Sequence, residues 1–143
     1  MRAHAIKMNG PEDNPGSTRI VKIDPKRQLV FGWASVSVRK TGEQVVDAHK
    51  DLIDPEELED AAYAFNLEFR GAGEMHQGLV KGELVESFVV THEKLAAMGL
   101  QKNDLPLGWW VGFLIRDLDV FEKVVSGKYV GFSIQGEAAR EAA

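Results

Sequence analysis

The chain has no cysteine among its 143 residues. That excludes a disulfide framework, a cysteine-ligated zinc site and a thiol nucleophile, and a reducing compartment fits. No apolar run approaches the ~18 residues of a membrane-spanning helix, and Met1–Thr18 contains no hydrophobic stretch of signal-peptide kind. The expectation is a cytosolic protein without a membrane partner. A basic cluster is also missing. Lys and Arg number 17 against 22 Asp and Glu, a net charge of −5, so no face offers the positive charge that nucleic-acid phosphates require. There is no internal repeat, and low complexity is confined to the Ala-rich end. What is present, 44% hydrophobic and 27% charged residues, is the balance of one globular domain.

Residues 1–18 include Gly10, Pro11, Glu12, Asp13, Asn14, Pro15, Gly16 and Ser17, a composition that buries little apolar area and reads as a mobile N-terminal arm. The remainder, 19–136, is read as one domain, followed by a tail at 137–143. Arg19–Ile23 alternates as a strand, Asp24-Pro25-Lys26-Arg27 turns, and Leu29–Val38 is a β-rich run that should pair back on the first. Asp54 caps the clearest helix, with Pro55 at its first position and Glu57 completing a capping box. Leu58, Ala61, Ala62, Phe65 and Phe69 then form one apolar stripe, and Gly71 and Gly73 stop it. A shorter helix is expected from Asp119, with Phe121, Val124 and Val125 inward and Gly127 as its stop. Further strands are expected at Glu83–Val90, Trp109–Arg116 and Lys128–Gln135, with a helical turn at Leu95–Leu100. Strands joined mostly by tight turns give an α+β fold, largely antiparallel, read as a small closed or nearly closed β-barrel flanked by helices.

Four histidines and a few serines can carry chemistry. His4 lies in the arm, and His92 sits where a strand gives way to a charged loop. His49, within Asp47-Ala48-His49-Lys50-Asp51, belongs to a polar loop with three metal-capable side chains, which leaves a metal-dependent hydrolase as one alternative. His76 is flanked by Gly73 and Gly78, which let the backbone turn sharply and bring a side chain into a cleft. Among the serines, Ser133 stands apart. In Val130-Gly131-Phe132-Ser133-Ile134-Gln135 the apolar trio Val130, Phe132 and Ile134 shares one strand face, which places Ser133 on the other face, beside the space left by Gly131.

Taken in order, Gly73-Glu74-Met75-His76, Gly82-Glu83-Leu84-Val85-Glu86-Ser87, Gly108-Trp109-Trp110-Val111-Gly112-Phe113 and Gly127-Lys128-Tyr129-Val130-Gly131-Phe132-Ser133-Ile134-Gln135-Gly136 resemble the XkdF-like prohead proteases of tailed bacteriophages. Phe31–Val36 and the stretch from Val46 to Leu58 fit as well, so the resemblance runs from about Arg19 to Gly136. It implies a serine endopeptidase, without a cofactor, that cleaves scaffold and major capsid protein segments inside the assembling prohead in the host cytoplasm. The fold implied is that of herpesvirus assemblin, a small β-barrel ringed by helices.

Carried over by the resemblance, the catalytic histidine is His76 and the nucleophile is Ser133. The assemblin pattern adds a second histidine after the nucleophile, whereas here only Glu137 and Glu141 follow Ser133 as potential partners. Glu86 is the first candidate for orienting His76, because it shares strand parity with Leu84, Phe88 and Val90. Asp47 and Asp51 are second candidates, and a dyad without a third member stays open. So does a catalytically silent, scaffold-binding module on the same fold. Whether copies of the chain associate is also open. The tail, Glu137–Ala143, is too short to hold a helix alone. Its Ala-Ala-Arg-Glu-Ala-Ala stretch suits a narrow protease cleft, which makes self-processing there an expectation.

Overall fold

The computed structural model describes residues 4–11, 18–46, 51–72 and 82–136. These hold six strands and three helices: β1 (His4–Asn9), β2 (Arg19–Asp24), β3 (Leu29–Val38), α1 (Pro55–Ala72), β4 (Glu83–Val89), α2 (His92–Ala97), β5 (Leu107–Leu114), α3 (Leu118–Val125) and β6 (Gly131–Gly136). The strands form a four-stranded sheet in the order β2-β3-β5-β4 and a two-stranded sheet, β1-β6, with every pairing antiparallel. The α+β, antiparallel architecture is therefore observed. Among the described residues no closed barrel is found.

Local chemistry explains most of the boundaries. At the β2–β3 turn, Asp24 Oδ1 accepts from the N–H groups of Lys26 and Arg27, both at 3.1 Å, and the Arg27 side chain donates to Asp24 Oδ2 at 2.8 Å. The Arg27 guanidinium thereby holds the Asp24 carboxyl below the usual carboxylate range. Gln28 closes the turn at φ 57°, and its amide donates to the carbonyl of Ile115 at 2.7 Å. Asp54 Oδ1 accepts from Glu56 N–H at 2.9 Å at the start of α1. The cap of α3 is Asp117, which accepts from Val120 N–H, rather than Asp119 as the sequence suggested. Both acids suit an N-cap, and Phe121 and Val124 are inward as expected. Val125, expected inward, is exposed.

The main core lies between the four-stranded sheet, α1, α3 and the β1–β6 pair, and a smaller cluster of Val90, Leu95 and Leu107 lies apart from it. Val30 and Ala34 of β3 and Trp109, Val111 and Phe113 of β5 face the main core, together with Ala62 and Phe65 of α1 and Phe121 and Val124 of α3. The Phe65 ring meets Trp109 edge-on at 5.2 Å. Each fully buried large side chain contributes about 1.5–3 kcal/mol. Of the expected α1 stripe, Ala62 and Phe65 are fully buried, Leu58 is half-buried, and Ala61 is exposed. Close approach demands glycine at position 32, where a Cβ would fall 2.1 Å from the carbonyl oxygen of Arg19.

Within the expected mobile arm at 1–18, the described residues 4–9 require a correction. His4–Asn9 is a strand paired along its length with β6, Met8 is 2% exposed within the main core, and Asn9 and Thr18 are buried. The polar Gly10–Ser17 stretch dominates the composition of this region. A six-residue strand whose partner stands at the other end of the chain leaves little local signal.

Candidate active site

Ser133 lies on β6, and the segment leading to it is held from several sides. Helix α3 is capped at Ser126, and Gly127 follows in the left-handed region at φ 83°. The N–H of Gly127 bonds to the carbonyl of Val124 at 3.1 Å and that of Lys128 to Lys123 at 2.8 Å. This is the Schellman closure, which needs a residue tolerant of positive φ at that point. Two residues on, Val130 joins the two sheets. Its N–H donates to the carbonyl of Asn9 on β1 at 2.8 Å, and its carbonyl accepts from Ile20 N–H on β2 at 2.7 Å. The register then sets Asn9 opposite Gly131, Met8 opposite Phe132 and Lys7 opposite Ser133. Phe132 is 1% exposed and packs against Phe113 at 5.7 Å between ring centroids. Phe132 is inward as the sequence suggested, Val130 is half-buried and Gly131 is buried, and the side chains of Ser133, Ile134 and Gln135 lie outside the described residues. Ser133 therefore follows a residue locked into the core, at a backbone position set by three strands and one helix end.

The other candidates are placed unevenly. His76 falls in 73–81, outside the described residues, as do Asp47 and His49 in 47–50. Asp51 is exposed, just before the bridge between Leu52 and Val46. Among the described residues, no group of three or more His, Asp or Glu side chains could hold a metal ion. His4 is not in an arm: its backbone pairs with Gly136 in the same β1–β6 ladder. His92 opens α2, behind the N-cap Thr91, and is exposed.

Glu86 requires a structural correction. The β4–β5 register shifts between Leu84 and Glu86, a bulge at Val85. Leu84 packs on the main core opposite Phe113, and Ser87 stands opposite the fully buried Val111. Glu86 stands opposite Gly112, exposed, and with Phe88 takes the other face of the sheet. The shared face with Leu84 does not exist, because the extra residue reverses parity between them. Ser87 instead accepts from Trp109 Nε1 at 2.8 Å, a structural hydrogen bond.

The densest polar cluster among the described residues lies on the α1–α2 side. Lys94 Nζ donates to Tyr63 Oη at 2.7 Å and to the Val89 carbonyl at 2.9 Å, and pairs with Glu59 Oε2 at 3.1 Å. Tyr63 Oη in turn donates to Glu59 Oε2 at 2.8 Å. The Tyr63 and Lys94 hydrogen bonds hold the Glu59 carboxyl below the usual carboxylate range. Burial pulls the Lys94 ammonium down, but Tyr63 and Glu59 outweigh it and raise it. With every member satisfied and α1 tied to the β4–α2 turn, this cluster is a structural clamp.

Comparison with known proteins follows the same lines. Residues 17–141 match the family model described as "Putative phage serine protease XkdF". The chain is 34% identical over 95 residues to a Bacillus subtilis (strain 168) protein printed as "Uncharacterized protein YqbD", a match that covers 65% of this chain and 28% of that protein. The chain thus spans less than a third of that relative's length. No solved structure matches it.

Proposed function

The chain belongs to the XkdF family, and from that premise and the family's description we propose that it is a serine endopeptidase with Ser133 as nucleophile and His76 as general base. The observation that carries the reading is the location of Ser133: inside the family-matched region, on a strand whose approach is hydrogen-bonded on both sides at Val130. A nucleophile needs such a rigid support, because small displacements of a reacting atom cost large factors in rate.

His76 takes the hydroxyl proton of Ser133 as the oxygen attacks the scissile carbonyl, then passes it to the leaving amine. Proton transfer of this kind supplies roughly 10²–10⁴-fold. Backbone N–H groups that hold the developing oxyanion supply a further share. The orienting role stays with Glu86, Asp47 or Asp51, or with no side chain. The substrates are scaffold and major capsid protein segments in the assembling prohead. A barrel-like sheet of the assemblin kind is part of the same proposal, supported by the way Val130 links β6 to both β1 and β2.

The test is co-expression with the neighbouring scaffold and major capsid genes, followed by mass analysis of the fragments. The parent is expected to cut defined sites that Ser133→Ala and His76→Ala leave whole. Fragments that persist with Ser133→Ala would overturn the assignment.

A further inference from the structure

Asn9 is 5% exposed, and its Oδ1 has no hydrogen-bond partner among the described residues. A buried amide oxygen left unpaired is costly, and a packing role is filled more cheaply by an apolar side chain. Two of its bonds run to β6 and to the residue just before it. The Asn9 carbonyl accepts from Val130 N–H at 2.8 Å, and its Nδ2 donates to the carbonyl of Phe132 at 3.4 Å, a long bond that straddles the register partner Gly131. The Phe132 carbonyl belongs to the peptide unit whose N–H is that of Ser133. Because that unit is planar, holding the carbonyl also sets the direction of the Ser133 N–H and the point from which its side chain leaves.

We infer that Asn9 is a positioning residue for the nucleophile: it fixes the peptide that precedes Ser133, so that the Ser133 hydroxyl and N–H are delivered in reactive alignment. The inference rests on the serine-protease reading above. It also gives β1 a role in the reaction, although this strand lies more than a hundred residues from Ser133 in the chain. Nucleophile N–H groups are among the oxyanion donors of serine proteases, so turning this peptide would affect both attack and charge stabilisation.

The test compares the parent chain with Asn9→Leu, Asn9→Ser and Met8→Ala. The rate of covalent labelling of Ser133 by a fluorophosphonate and the melting temperature are measured for each, with labelling carried out well below every melting temperature. Met8→Ala opens a cavity beside the same strand without touching the Phe132 carbonyl. The expected result is a loss of about 10–100-fold in labelling rate for both Asn9 variants. The Asn9→Leu melting temperature should be held or raised, because the unpaired oxygen is gone. Met8→Ala should melt lower yet label within about twofold of the parent. Parent-like labelling of either folded Asn9 variant overturns the inference, and so does an equal loss in Met8→Ala, which would mark a merely structural effect. If the parent itself is not labelled at Ser133, the serine-protease reading fails and takes this inference with it. Labelling of the parent together with parent-like Asn9 variants removes the inference alone.

Discussion

The two sheets teach different things about how this chain is built. In the β2-β3-β5-β4 sheet a tight turn joins β2 to β3, and β3 then pairs with β5 across the stretch of chain that carries α1, β4 and α2. The β1-β6 sheet comes from the two ends of the described chain. In the first, the strands announce themselves: Val30 and Ala34 alternate with partly exposed residues along β3, and Asp24 organises its turn from within four residues. In the second, the partner that makes His4–Asn9 a strand lies at the far end of the chain, so the pairing energy is invisible to any local window. The sheet that is hardest to read is the one that carries Ser133.

The comparison can be broken most directly by removing β1. Deleting residues 1–11 strips β6 of its partner and the core of Met8. It should cost more than about 5 kcal/mol, enough to abolish cooperative unfolding in a domain of ordinary stability. A parent-like denaturant midpoint would restore the mobile arm. Next in size are single core truncations. Phe113→Ala in the larger sheet should cost about 3–5 kcal/mol, and Met8→Ala in the smaller one about 2–5 kcal/mol, both read from urea unfolding. A Met8→Ala cost below about 1 kcal/mol would make the β1–β6 pair an appendage rather than a part of the core.

Gly32→Ala tests the close approach of β2 to β3. Its Cβ would collide with the Arg19 carbonyl, and overpacking of this kind costs about 1–3 kcal/mol. The smallest effect lies in the Lys94 clamp. Glu59 has a lowered pKa in the folded state, so its contribution is present above the ordinary carboxylate pKa and is lost as pH falls through the folded value. Lys94, raised in the folded state, keeps its contribution at neutral pH and loses it only as pH rises through its folded value. Glu59→Gln should therefore lower stability at neutral pH by about 0.5–1 kcal/mol, the scale of a partly solvated pair, and the difference should close in acid. Equal losses at neutral and acidic pH would assign the effect to packing.

These cases also show what was legible. Strand β3, the β2–β3 turn, the Asp54–Pro55 start of α1 and the inward side of Phe132 all depend on contacts or parity within a few residues, and the sequence reading recovers them. The bulge at Val85 depends on how β4 meets β5, so Leu84, Glu86 and Phe88 look like one face until the register is known. Asp117 rather than Asp119 caps α3, and local sequence offers two adequate caps two residues apart with nothing to separate them. At the site, strand parity singled out Ser133, but its role and that of His76 came from the family resemblance. Asn9 carried no local signal, since its partners, Val130 and Phe132, are remote in sequence.

The central claim is that Ser133 is a nucleophile activated by His76, and adduct mapping tests it without knowledge of the natural substrate. The parent, Ser133→Ala and His76→Ala are incubated with a fluorophosphonate, digested and mapped by mass spectrometry, with melting temperatures recorded alongside. The account predicts one adduct, on Ser133 of the parent, absent from Ser133→Ala and slowed by at least about a hundredfold in His76→Ala, with all three folded alike. A folded parent that gains no adduct at Ser133, or that labels equally fast without His76, would contradict it.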